Sequence, residues 1–262
     1  MAGLIRHLCR KTSQKTANRD WMTMLIDLHT HILYGVDDGP ESIDLSMEML
    51  RSACSGNIRA VVATPHILDG FQSEELIFSH FRKLTGAVIE EKLPIDIFLG
   101  SEINFQFGME DFLESSVGTF RGMGRYFLVE TTLTHYPKHF EETMSRILEG
   151  GRVPVFAHPE RVGPIVGDTD LIRLLVGMGM LVQINAGSLL GMFGERIRKF
   201  AWDLLDLNVV HFVASDAHDI RRRTFNLDEA WKAVRKKYDE DTADLLMFDN
   251  PLRVLTGESI TG

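Results

Sequence analysis

The sequence has only two cysteines, Cys9 and Cys54, in 262 residues. No disulfide framework can be built from them, and a reducing compartment, the cytoplasm, is the default expectation. Neither cysteine opens a Cys-x5-Arg loop, because Ala60 stands six places after Cys54 and Lys15 six places after Cys9. Hydrolysis through that covalent cysteine loop is therefore excluded. No run approaches the ~20 continuous apolar residues of a membrane span. The start also lacks the apolar core of a secretory signal, since Leu4-Ile5 is followed at once by Arg6. No Lys/Arg block interrupts the body of the chain and the formal charge is −9. A nucleic-acid backbone, which is gripped by clustered cations, is therefore not the expected partner. Internal repeats, low-complexity tracts and linkers are absent too.

What is present is ordinary globular composition, 44% hydrophobic and 25% charged. Positive charge gathers at the start, where Arg6, Arg10, Lys11, Lys15 and Arg19 face only Asp20. Residues 1–23 are expected to be a disordered N-terminal extension, and residues 24–262 a single domain. In that domain, strand-like runs at 24–28, 60–63, 95–99, 126–129, 153–157, 181–184 and 209–214 alternate with helix-period segments. The helices are expected at 42–54, 73–91, 109–115, 139–149, 170–177, 194–206 and 226–247. Ser42 and Ser73 are suited to cap the first two. Seven βα units in series predict a parallel sheet with right-handed crossovers. A closed or nearly closed barrel fits better than an open sheet, because the polar residues singled out below fall at six or more strand ends.

Those residues are His29, His31, Asp38, His66, Glu102, Glu130, His158, Asp216 and His218, each at or just past the end of an apolar run or in the loop after it. His29 and His31 are two apart, so strand alternation puts both on one face. By the same count Asp27 shares that face, as a partner for an imidazole. Asp216 and His218 are likewise expected on one strand face. Singly, each residue has a bland reading as a solvated loop histidine or a helix-capping acid. Together they include five of the ten histidines, and mixed imidazole and carboxylate donors suit Zn²⁺, Mn²⁺ or Fe. Nine donors exceed one tetrahedral ion, so two or three bridged ions are expected. Arg161, three residues after His158, and Arg221-Arg222-Arg223 after His218 favour a phosphoester substrate, because guanidinium forks grip phosphate oxygens.

At these residues the chain resembles the PHP (polymerase and histidinol phosphatase) superfamily. More narrowly, it is similar to the PHP-type bacterial protein-tyrosine phosphatases of capsule and exopolysaccharide operons. The resemblance rests on Ile26-Asp27-Leu28-His29-Thr30-His31, Val36-Asp37-Asp38-Gly39-Pro40, Gly100-Ser101-Glu102-Ile103, Ala157-His158-Pro159-Glu160-Arg161, Gly194-Glu195-Arg196, Ala214-Ser215-Asp216-Ala217-His218 and Asp249-Asn250-Pro251. It covers the chain from about Met24 onward. The segment Thr131–Tyr136 departs from the family pattern.

The resemblance implies a distorted (β/α)7 TIM-like barrel holding three divalent ions, Mn, Fe or Zn. It implies one ion on His29, His31, Glu102 and Asp216, a second on Glu102, Glu130 and His158, and a third on Asp38, His66 and His218. Arg161 and Arg223 match the family's phosphate-gripping arginines, with Arg222 able to replace Arg223 after a one-residue shift. The implied reaction is hydrolysis of phosphotyrosine by direct attack of metal-bound water, on a protein such as a bacterial tyrosine kinase. Within the superfamily, a small-molecule phosphatase of histidinol-phosphate type is the alternative. A metal-dependent amidohydrolase should carry a bridging lysine, which none of these positions supplies. A homo-oligomer stays open at this level.

Overall fold

Parallel pairing runs through the whole sheet system of the structure, a computed structural model that describes residues 24–67, 73–106 and 109–260. The expectation for residues 1–23 lies outside the described residues. Among the described residues, nine strands form seven staves. They are β1 (Leu25–Thr30), β2 (Ile58–Ala63) continued by β3 (His66–Ile67), β4 (Asp96–Leu99) continued by β5 (Glu102–Asn104), β6 (Tyr126–Glu130), β7 (Val153–Ala157), β8 (Leu181–Asn185) and β9 (Phe212–Ala214). The hydrogen-bonded orders are β1-β2-β4 and β3-β5-β6-β7-β8-β9. The first stave meets the last through a Thr30–Ala217 bridge, with His31 N donating to Ala217 O at 2.8 Å and Asp216 N to His29 O at 3.0 Å. The result is the distorted (β/α)7 barrel.

The two broken staves matter for function. Pro65 lacks the N–H that a ladder needs, so β2 stops and resumes as β3. The resumed register pairs His66 with Glu102, and Asn104 with Glu130. Polar residues from three staves are thereby set side by side at the carboxyl end of the barrel.

Alternation along the strands divides the core into two layers. Ile26, Leu28, Val62, Leu128, Val155 and Phe212 pack in an inner cluster with Phe248, Leu252 and Leu255 from the end of the chain. Val61, Ala63, Phe127, Phe156 and Val213 face the outer cluster beneath the helices. The helices are α1 (Ile43–Ser55), α2 (Glu74–Glu91), α3 (Met109–Phe112), α4 (Phe140–Glu149), α5 (Thr169–Gly177), α6 (Ala186–Leu189), α7 (Glu195–Asp206) and α8 (Leu227–Lys237). Ser42 and Ser73 cap α1 and α2 as expected, accepting from Leu45 N and Leu76 N.

Two expectations are corrected. The helix expected over 226–247 is broken after Lys237. Asp239 caps a new helix, α9 (Glu240–Asp244), by accepting from Thr242 N at 2.7 Å. A wide turn over Leu245–Asp249 and α10 (Asn250–Thr256) follow, with Pro251 in the first turn of α10, where its missing N–H costs nothing. Asn250 donates to His211 O at 3.0 Å, so the Asp249-Asn250-Pro251 motif ties this cover to the start of β9. The strand expected over 209–214 shortens to Phe212–Ala214. Among the described residues no helix is long and apolar enough to cross a membrane.

Candidate metal centre

Strand parity aims the first two histidines, but only after a correction. Asp27 pairs with Val61 and Thr30 with Ala63, so three residues of β1 span two of β2. This bulge puts one extra residue between Asp27 and Thr30 and reverses the parity beyond it. Val61 and Ala63 belong to the outer layer, as their partners Asp27 and Thr30 therefore must, while His29 and His31 turn inward together. Asp27 is consequently not the partner of the His29 imidazole. Its Oδ1 accepts from the backbone N–H of His29 (3.3 Å) and Ser215 (3.1 Å), a tie across the barrel seam. Burial pushes its carboxyl up to about 6.

The nine candidate ligands surround one buried mouth. His29 Nε2, His31 Nε2, Glu102 Oε2 and Asp216 Oδ1 are mutually adjacent. The two imidazole nitrogens are 3.2 Å apart, they stand 3.0 and 3.2 Å from Glu102, and both stand 3.5 Å from Asp216. Donors on the corners of a tetrahedron with bonds of 2.0–2.1 Å are spaced by roughly 3.3 Å. The spacing therefore fits a metal's coordination shell. Glu102 Oε1 lies 2.8 Å from His158 Nε2. His66 Nδ1 lies 3.1 Å from both Glu102 Oε2 and Glu130 Oε1. Asp38 Oδ1 lies 3.2 Å from His218 Nε2 and 3.5 Å from His66 Nε2.

These groups fit divalent ions for a second reason. Glu102 Oε2, Asp216 Oδ1, His66 Nδ1 and His218 Nε2 are buried yet make no hydrogen bond. Buried polar atoms are ordinarily satisfied. Here potential donor atoms converge with no hydrogen bond to satisfy them, which bound cations would do. The first expected quartet is thus brought together, and so is the third set of Asp38, His66 and His218, joined by His31. The second set is divided: His158 groups with His29 and Glu102, and Glu130 with His66 and Glu102. Glu102 is common to both.

Asp216 and His218 do not share a strand face, because β9 ends at Ala214. Asp216 instead adopts φ 56°, and His158 φ 35°. Left-handed backbone at non-glycine residues is costly and persists where the surroundings impose it. Both bends re-aim a polar side chain into the mouth.

Residues the sequence reading missed hold the donors in place. His31 Nδ1 donates to Asp37 Oδ2 at 2.7 Å, and Gly39 N to Asp37 Oδ1 at 3.0 Å. A Cβ at Gly39 would lie 2.3 Å from His31 O, so only glycine lets this loop close on the histidine. His218 Nδ1 donates to Asp216 O at 2.9 Å. Strand β8 carries no expected ligand, yet its Gln183 and Asn185 run a directional chain. His29 Nδ1 donates to Gln183 Oε1 (2.9 Å), Gln183 Nε2 to Asn185 Oδ1 (2.9 Å), and Asn185 Nδ2 to Asp216 Oδ2 (2.7 Å). The chain directs the His29 Nε2 lone pair at Glu102 and Asp216. The available signal was two amides, Gln183 and Asn185, interrupting the apolar run Met180–Ala186.

The arginines complete the mouth. Arg161 Nη1 and Arg223 Nη2 each donate to Asp216 Oδ2 at 2.8 Å, and Arg223 Nη1 reaches Asp38 Oδ2 at 3.5 Å. Arg221 and Arg222 are exposed, so it is Arg223 that the loop turns inward. Asp219 fixes that loop by accepting from the backbone N–H of Arg221, Arg222 and Arg223.

Electrostatics follow from this crowding. Burial alone would lower the His31 and His66 imidazoles. Asp37 and Glu102 outweigh it at His31, raising it to about 9, and Asp38, Glu130 and Glu102 raise His66 to about 11. Burial opposes ionisation of Glu102, yet His29, His158 and His31 hold its carboxyl well below the usual range. His218 is lowered by burial and by the His31 charge. At pH 7.5 the ion-free chain therefore carries protons on His31 and His66 that a metal must displace. Uptake of Mn²⁺ is expected to release about two protons per chain, with affinity rising as pH rises. Calorimetry in buffers of different ionisation enthalpy measures this, and uptake without proton release would show that these imidazoles do not ligate.

The family model for capsular polysaccharide synthesis proteins CpsB/CapC matches residues 25–256. CapC of Staphylococcus aureus is 35% identical over 240 residues, covering 90% of this chain and 93% of that protein. The tyrosine-protein phosphatase YwqE of Bacillus subtilis is 34% identical over 224 residues, covering 85% and 88%. A crystal structure from work on YwqE and on CpsB of Streptococcus pneumoniae, described there as metal-dependent tyrosine phosphatases, superposes with a TM-score of 0.84. Its identity is 31%, and the match covers 90% of this chain and 96% of that one. Barrel, motif set and relatives agree, and the chain belongs to the CpsB/CapC family.

Proposed function

We propose that this chain is a metal-dependent protein-tyrosine phosphatase that acts in the cytoplasm on a phosphotyrosyl protein, a bacterial tyrosine kinase controlling capsule or exopolysaccharide synthesis. The observation that carries the reading is Glu102, whose two oxygens stand 2.8–3.2 Å from nitrogens of four histidines, beside two arginines that meet on Asp216. The nine candidate ligands would hold three ions, Mn, Fe or Zn. Such ions supply Lewis acidity, which neutralises charge on phosphoryl oxygens and brings the pKa of water near neutrality.

The chain's own groups do the rest. Arg161 and Arg223 present guanidinium N–H donors to non-bridging phosphate oxygens. Gln183 and Asp37 keep His29 and His31 in the tautomers that turn Nε2 inward. A phenolate leaving group, with pKa ~10, needs little protonation, so the reading requires no general acid. The absence of a Cys-x5-Arg loop agrees with hydrolysis in one displacement.

The Mn²⁺-loaded protein is expected to hydrolyse p-nitrophenyl phosphate and phosphotyrosine peptides, and to lose both activities on chelation. Histidinol phosphate should be the poorer substrate. Faster cleavage of histidinol phosphate than of any phosphotyrosine peptide would overturn the tyrosine reading, and activity that survives chelation would overturn the metal.

A further inference from the structure

The two inward arginines are held differently. Arg223 reaches Asp216 from a loop, with 30% of its side chain exposed. Arg161 has 13% exposed and is clamped on two sides. Its edge donates to Asp216 Oδ2 at 2.8 Å, and its face lies 4.2 Å from the centroid of the Phe193 ring. Phe193 belongs to the loop Leu190–Gly194 between α6 and α7.

We propose that Phe193 is a positioning residue for Arg161. Its ring fixes the plane of the guanidinium and strips water from one face, so that the remaining N–H donors point at the phosphate site. The inference rests on the reading of Arg161 as a phosphate ligand. Three physical facts support it. A guanidinium has a weakly hydrated face that stacks on an aromatic ring, unlike an ammonium. A hydrogen bond to an anion is stronger where water is excluded. And the ring has a prepared seat: a Cβ at Gly187, in the buried helix α6, would lie 3.2 Å from Phe193 Cε2 and 3.0 Å from Met192 Sδ. Glycine at 187 leaves the room that the ring occupies, and α6 is anchored by Ser188 Oγ donating to the buried Glu160 at 2.6 Å. One continuous set of contacts therefore runs from Gly187 through Phe193 to Arg161.

The test is a double-mutant cycle on the Mn²⁺-loaded full chain, read as orthophosphate affinity by calorimetry. Phe193→Leu is expected to weaken orthophosphate binding roughly tenfold, the scale of a partly desolvated cation–π contact. In the Arg161→Ala background the same substitution should change affinity less than about twofold, because its target is gone. Phe193→Tyr, which keeps the π face, should stay near wild type. Equal effects of Phe193→Leu in both backgrounds, or a loss in Phe193→Tyr as large as in Phe193→Leu, would overturn the proposal. Should Phe193→Leu fail to fold, Gly187→Ala run through the same cycle decides, since it displaces the ring and leaves both partners chemically intact. A wild-type protein that binds no orthophosphate would instead overturn the phosphate reading beneath it.

Discussion

Glu102→Gln is expected to lower turnover by three orders of magnitude or more, on the order of 4 kcal/mol of transition-state stabilisation, and to cut metal content per chain. The substitution preserves shape and removes charge. One oxygen of Glu102 faces His29, His31 and His66, and the other faces His158. A glutamine would present an NH2 to one of those lone pairs and a weak carbonyl to the other. Metal analysis of the purified variant together with turnover measures the effect, and activity within tenfold of wild type at full metal content would refute the shared role. The ion-free protein should respond as well. Breaking a buried charge pair costs about 3–5 kcal/mol. Because the folded-state carboxyl of Glu102 lies below its ordinary 4.5, its contribution is present above that pH and fades as pH falls through the folded value. The difference in thermal midpoint between variant and wild type should therefore shrink in acid.

His158→Ala is expected to reduce kcat by two to three orders of magnitude, whereas Arg223→Ala should mainly raise KM, by roughly tenfold. His158 is buried against Glu102, so its loss removes a donor from the centre of the cluster. Arg223 is a partly exposed side chain whose loss leaves every candidate ligand in place. The left-handed backbone at His158 complicates alanine, which disfavours that conformation by roughly 1–2 kcal/mol. His158→Asn separates the two effects, because asparagine tolerates the conformation. If the asparagine variant keeps wild-type kinetics, His158 has no part in the metal centre.

Much of this site was legible along the chain because its donors stop apolar runs. Glu130 closes β6, and His158 directly follows β7. Such a polar stop needs no knowledge of neighbours, since a buried strand gains nothing by ending on a carboxylate or an imidazole unless something there uses it. The misreadings have a common origin. Counting in twos puts Asp27 beside His29 and His31, which holds only while the ladder is regular, and the bulge before Thr30 breaks it. The same count puts Asp216 and His218 on one face, but they lie beyond the end of β9, where a left-handed residue does the aiming instead. The final helix reads as one because its apolar period continues, although Asp239 starts a fresh cap.

By itself, then, the sequence determined the βα alternation, the nine candidate donors at or after strand ends, the missing cysteine loop and the presence of arginines near them. These follow from local rules: strand and helix periods, and chemistry that each side chain carries wherever it sits. Only the tertiary structure decided how those donors group around Glu102, which arginine of the run turns inward, and what orients them. Gln183 reaches His29 across 154 residues, and Phe193 reaches Arg161 from a different loop. Neither partnership has a sequence period, because barrel closure makes neighbours of residues whose separation along the chain is arbitrary.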